Sequence, residues 1–292
     1  MSKIPYIHYS KDKNNLINLY YMALGILIIF SIYKNGILLY QNNLIHLTSI
    51  FSLFYFYITS ILISILAAYL LKASYKETIL LGLIVTCSIS INTNKLIFPI
   101  LLFVAIFISK YLKEKKNYFI HTSAFTRVLL ILGVLIGNYS YLNVGEKLGK
   151  FNYSLLDIFL GFGPGGLATT SFMLILFCFL ILASNRFYKK NIFLSATISF
   201  LALNAIYVLI TKDISFLEKT LNGTVYYSFL FFAPSLNCTP YREKNMITYG
   251  SLIGIISFIL SLIFNIYEAG ILSVFIVSLL MLLYNNFHFL KN

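Results

Sequence analysis

Long uncharged apolar stretches, separated by short polar connections, run the length of this 292-residue chain. A helix needs about 20 residues to cross the roughly 30 Å hydrocarbon layer of a bilayer, and a charge inside it is costly. On that rule the sequence predicts spans near 17 to 36, 47 to 71, 78 to 92, 95 to 112, 124 to 142, 168 to 185, 191 to 210, 222 to 236, 247 to 266 and 269 to 287. The third and eighth are short and end in the polar or proline-containing turns SISINTN and APSLNCTP, the pattern of half-helices or re-entrant elements. Irregular backbone persists at membrane depth only where protein buries it or where it lines a cavity. The expected fold class is therefore all-α integral membrane, with about ten transmembrane helices in a single polytopic domain over residues 1–292. Residues 1–15 form a cytoplasmic N-terminal segment in this scheme. Ten spans divide into two groups of five, and an odd number per half gives the halves opposite orientations. The two short elements fall third in each half, so residues 16–142 and 156–287 are candidates for a 5+5 inverted repeat.

Composition agrees with that pattern. With 59% hydrophobic and 11% charged residues, the chain carries more apolar surface than a water-soluble globule can bury. Its net charge of +13 does not point to nucleic acid, because the basic residues come in short clusters between apolar stretches and build no extended phosphate-binding surface. Lysine and arginine in short loops are retained on the cytoplasmic side. With the N-terminus inside, one face receives 15 basic residues, including Lys110, Lys113, Lys115 and Lys116, and Arg186, Lys189 and Lys190. The other receives 6: Lys34, Lys95, Lys147, Lys150, Lys212 and Lys219. That split predicts a multi-pass protein of the inner (cytoplasmic) membrane with both termini cytoplasmic. The N-terminus has no cleavage site close behind its first apolar run, so a retained span is expected rather than a signal peptide. Cys87, Cys178 and Cys238 are widely spaced and form no CxxC pair, which leaves no zinc or iron–sulfur signature and makes buried thiols the simplest reading.

Candidate chemistry is sparse. The stretch Leu155–Ser171, LLDIFLGFGPGGLATTS, sets an acid, Asp157, before a glycine-rich turn that opens a helix at Thr169, Thr170 and Ser171. Backbone N–H groups at such a turn suit an anion or phosphate, and the same residues serve equally as an ordinary N-cap. In Phe231–Gly250, FFAPSLNCTPYREKNMITYG, Pro234 and Pro240 free neighbouring carbonyls for a cation or for interfacial water. Arg127 stands as the basic residue that must lie within a span or at its edge, either snorkelling to headgroups or pairing with an intramembrane polar group. The nine acidic residues are all expected outside the middle of the spans, which leaves no proton or sodium relay. His8, His46, His121 and His288 are scattered near span ends, against haem ligation. The catalytic site residues predicted from sequence are none, and no metal site is expected.

The two unusual stretches, in this order, resemble the family containing the D subunit of the Rnf electron-transport complex and the B subunit of the sodium-translocating NADH:quinone oxidoreductase. A family turn of the type LDLFLGxxPGSxGETS is matched by Leu156, Asp157, Phe159, Leu160, Gly161, Pro164, Gly165, Thr170 and Ser171. A later pattern, FFMATDPVTSPxxxxGxxxYG, is echoed by Phe231, Phe232, Ala233, Pro240, Tyr249 and Gly250, and a YPEG motif by Tyr267 and Gly270. Arg127 falls where the family has GRAFL. The resemblance implies ten spans and a membrane subunit of an Rnf-like complex that couples flavin-mediated electron transfer to cation translocation, with other membrane subunits as partners. It also implies FMN or riboflavin, with Gly165, Thr169, Thr170 and Ser171 as cofactor-binding candidates and Arg127, Asp157 and Pro240 on the ion path or in structural roles. Family members esterify FMN to a threonine in an SGAT-like motif between spans five and six. Here the segment Gly137–Leu156 contains no threonine, so covalent FMN is not expected and any flavin would be held noncovalently. The alternative this departure raises is a redox-inactive homologue acting as a small-solute transporter or channel.

Overall fold

The computed structural model describes residues 6–116, 124–129, 154–212, 216, 220–234, 239–240, 242–263 and 266–289. Expectations for the Gly137–Leu156 segment before Ser154, for Cys238 and for His121 lie outside the described residues. Helices stand at every expected stretch, the fifth being described only at 124–129. The first, α1 (Tyr6–Ile32), runs without a break through a π-helical turn, Tyr33–Ile37, into α2 (Leu38–Gln41). It takes in the last ten residues of the 1–15 segment expected to precede it. The chain continues as α3 (Leu47–Leu71), α4 (Tyr75–Cys87), α5 (Ile97–Lys116), α6 (124–129), the short α7 (Leu155–Leu160), α8 (Phe172–Ala183) and α9 (Lys190–Thr211). Then come α10 (Gly223–Tyr227), prolonged by a second π turn at Ser228–Phe232, α11 (Glu243–Ile263) and α12 (Ile266–Phe289). Among the described residues, four helices are long and apolar enough to cross a membrane: Lys13–Gln41, Leu47–Leu71, Lys190–Thr211 and Glu243–Ile263. The apolar runs Ile97–Ser109, Phe172–Ala183 and Glu268–Met281 are shorter.

The polarity of the surface identifies the solvent. Along α3, Leu53, Phe56, Tyr57, Ser60, Ser64 and Ala67 recur at three- and four-residue intervals and face inward, one stripe of a 3.6-residue helix. The opposite stripe is apolar too, with Leu62 60% and Tyr69 69% exposed. On α9, Ile198 and Leu209 are likewise exposed while Thr197 and Asn204 are buried. Large apolar side chains outside and hydroxyls inside is the arrangement that lipid favours, because hydrocarbon gives no hydrophobic drive to bury leucine and leaves close packing and polar contacts to join helices. The chain is a multi-pass membrane protein.

Small residues set the closest helix contacts, as membrane packing demands. On α11, a Cβ added to Gly250 would fall 2.0 Å from Ser195 Oγ, and one on Gly254 would fall 1.9 Å from Ser199 Oγ and 2.5 Å from Ala196 O. The α9 and α11 backbones therefore touch. Gly82 of α4 meets Ser64 of α3 in the same way, and Ser257 and Ser273 share a 2.6 Å hydrogen bond between α11 and α12. Cys87 and Cys178 are buried free thiols. Tyr227 donates to Ile84 O, tying the two broken elements, α4 and α10, to each other across the core.

Candidate functional site at the helix breaks

Helix α4 stops at Cys87 inside the protein, where Ser88 turns its hydroxyl back to Val85 O. The backbone that follows is completed by a distant segment. The N–H groups of Leu167 and Ala168 donate to Ile89 O and Cys87 O at 2.8 and 2.9 Å. Buried carbonyls at a broken helix end must find such partners, and the Gly161–Ser171 turn supplies them. The close approach needs glycine: a Cβ on Gly166 would lie 2.7 Å from Ser88 O. On its other side the turn meets α10, since Gly223 N–H donates to Thr170 O and Asn222 Nδ2 to Pro164 O. Asn222 also caps α10 by accepting from Thr224 N–H. Two interrupted helices thus share one irregular loop.

Among the described residues three basic side chains are buried, and two serve this junction. Arg127 is 0% exposed. Its Nε donates to Ser88 Oγ at 2.9 Å, and Nη2 donates to Ser88 O at 3.1 Å and to Glu268 Oε1 at 2.9 Å. The snorkelling alternative is thereby removed: Arg127 holds the end of α4 and pairs with an acid on the first turn of α12. Glu268 stands at the start of its helix, as expected of an acid kept out of mid-span, but it is buried and paired there. Position within an apolar helix did not flag it, because it stands one turn from the helix start, yet the bundle closes over it. Lys34, counted by sequence on the external side at the end of the first expected span, turns out to be buried. The π turn directs it inward, where it is buried and donates to Gly161 O at 3.1 Å and Thr170 Oγ1 at 2.7 Å. Asn35 beside it donates to Leu167 O at 2.9 Å. Lys189, expected in a cytoplasmic loop, is buried as well and donates to Thr239 O and Thr239 Oγ1.

The other candidates have local work. Asp157 and Ser154 form a capping box, each bonding the other's backbone N–H, which fixes the start of α7. Gly161 ends that helix at φ +105°, where a Cβ would also strike Ser171 at 2.7 Å. Thr170 Oγ1 donates to Gly161 O while accepting from Lys34. Ser171 caps α8 by accepting from Leu174 N–H. Thr169 Oγ1 is fully buried without a hydrogen-bond partner among the described residues. Pro240 belongs to a separate locus, beside the Thr239 that receives Lys189.

The turn is closely packed. Gly165 is already within Cβ-contact distance of Thr170 Cγ2 and Thr224 Oγ1, at 2.7 and 2.8 Å, and the Thr170 and Ser171 hydroxyls are engaged within the chain. What the site offers is polar: unwound carbonyls, hydroxyls and a buried ion pair. Beside it a cleft of about 170 Å³ is lined by Asn35, Leu39, Ser49, Ser52, Asn92 and Lys95 among others, so the junction is approached from one face.

The NQR2, RnfD, RnfE family model matches residues 119–289, which is more than half of the chain and includes Arg127, the Gly161–Ser171 turn, α10 and Glu268. The chain belongs to this family. No curated protein matches it. Membership places it among the membrane subunits of electron-transport complexes, and the matched region contains both halves of the Arg127–Glu268 pair. Lys34 lies outside the matched residues, although its two acceptors, Gly161 and Thr170, lie within them.

Proposed function

We propose that this chain is the ion-path subunit of an Rnf-like complex in the cytoplasmic membrane, coupling flavin-mediated electron transfer in the complex to cation movement through the junction of its two broken helices. The observation that carries the reading is the junction itself, where unwound backbone from α4 and the Gly161–Ser171 turn meets at depth, locked by Arg127 and Glu268. Freed carbonyls at interrupted helices are the usual ligands for a moving cation. Here those of Cys87, Ser88 and Ile89 are held by Ala168, Arg127 and Leu167. Opening the pair would release Ser88 O. In this scheme electron transfer elsewhere in the complex drives that opening, and partner membrane subunits hold the redox centres. FMN or riboflavin, if the chain carries one, sits away from Gly165, Thr169, Thr170 and Ser171.

The filled turn, together with the missing SGAT-like threonine, supports a second reading: a redox-inactive small-solute transporter or channel on the same scaffold. One purification separates the two. The protein is isolated in mild detergent with whatever subunits accompany it, and flavin absorbance is read before and after acid precipitation. Flavin released into the supernatant, together with co-purifying redox subunits, is the expected result. A preparation with neither would sink the electron-transport reading in favour of the transporter.

A further inference from the structure

The geometry points to a monovalent-cation site at the helix break that is occupied by this chain's own Lys34 ammonium, which would exclude sodium from that position. The consequence for ion choice rests on the proposed ion path; the site itself does not. Lys34 is 2% exposed, and among the described residues no carboxylate lies within ion-pair distance of it. A buried ammonium is retained where oxygens replace its water. Its replacements are the backbone carbonyl of Gly161 and the side-chain hydroxyl of Thr170, both on the irregular turn between two helices, where freed carbonyls can coordinate cations. The arrangement is built. A π turn, a feature frequent at functional positions, presents Lys34 inward, and the left-handed Gly161 cannot take a side chain without striking Ser171. The neighbouring Thr169 hydroxyl is buried without a hydrogen-bond partner. Adjacent Asn35 lines the cleft. With the ammonium present, a second unit charge about 4 Å away is disfavoured by roughly a thousandfold at an effective dielectric near 20.

Removing the charge should expose the site. Purified wild type, Lys34→Ala and Lys34→Met are melted in detergent in choline chloride, with NaCl, n-propylammonium chloride or n-propanol added at constant ionic strength. Wild type is expected to show no saturable sodium response. Lys34→Ala is expected to melt lower and to be raised saturably by propylammonium and by sodium, as a ligand binding only the folded state requires, and not by propanol. Equal rescue by propanol would mean that only the stem matters, and overturns the site. So does a saturable sodium response in wild type, or an alanine variant that neither cation rescues. Should Lys34→Ala fail to fold, Lys34→Met decides: a methionine protein as stable as wild type refutes a need for charge, and a less stable one supports it. These melts involve no electron donor, so they stand or fall independently of the flavin and subunit test.

Discussion

The Arg127–Glu268 pair gives the sharpest energetic prediction. Glu268→Leu leaves the Arg127 guanidinium buried with its bonds to Ser88 but without its carboxylate, and Arg127→Leu leaves a buried carboxylate and takes the Arg127 donor from Ser88 O. Breaking a buried pair by removing one partner costs about 3–5 kcal/mol, because an uncompensated charge remains. Replacing both partners by apolar groups is often nearly neutral. The double Leu variant still loses the Arg127 bonds to Ser88, a penalty of about 1–3 kcal/mol. It should therefore be more stable than either single variant. With roughly 2–4 °C of melting temperature per kcal/mol for a chain of this order of size, the single substitutions should lower Tm by about 6–20 °C and the double by about 2–12 °C. Thermal size-exclusion measurements on the detergent-solubilised proteins provide the double-mutant cycle. If the double variant loses the sum of the two single losses, the residues act independently and the ion pair does not lock the junction.

Three further outcomes follow from the packing and the topology. Gly254→Val places carbon where Ser199 Oγ and Ala196 O already stand; separation of α9 from α11 should appear as lost monodispersity on gel filtration, whereas the lipid-facing Leu209→Val should behave as wild type. Gly166→Ala, whose Cβ would lie 2.7 Å from Ser88 O, should lower Tm by about 1–3 kcal/mol equivalent, the range for overpacking, and a neutral result would mean that the turn is free to shift. Cysteine labels in the 186–190 and 145–150 connections should react from opposite sides of sealed vesicles, as the lysine distribution requires.

The helices were legible because hydrocarbon excludes charge: the uncharged stretch 47 to 71 coincides with Leu47–Leu71, and 191 to 210 lies within Lys190–Thr211. The same rule could not show the burial of Lys34, since it treats each lysine as an interface marker and cannot see an acceptor 127 positions away at Gly161. Glu268 was hidden for the same reason, its partner Arg127 being 141 positions distant. Arg127 itself was visible because a charge beside apolar residues needs a partner wherever it lies. Asp157, named for an ion-path or structural role, has a structural one. Its three-residue spacing from Ser154 is a capping-box pattern available in the local sequence, and that pattern accounts for the acid without an ion path. Local spacing thus reveals groups that satisfy themselves, whereas a buried charge satisfied from a distant segment shows in sequence only as an anomaly. The anomalies here, Arg127 and the Gly161–Ser171 turn, did mark the junction, because breaking a helix in lipid is tolerable only where other parts of the fold supply the missing hydrogen bonds.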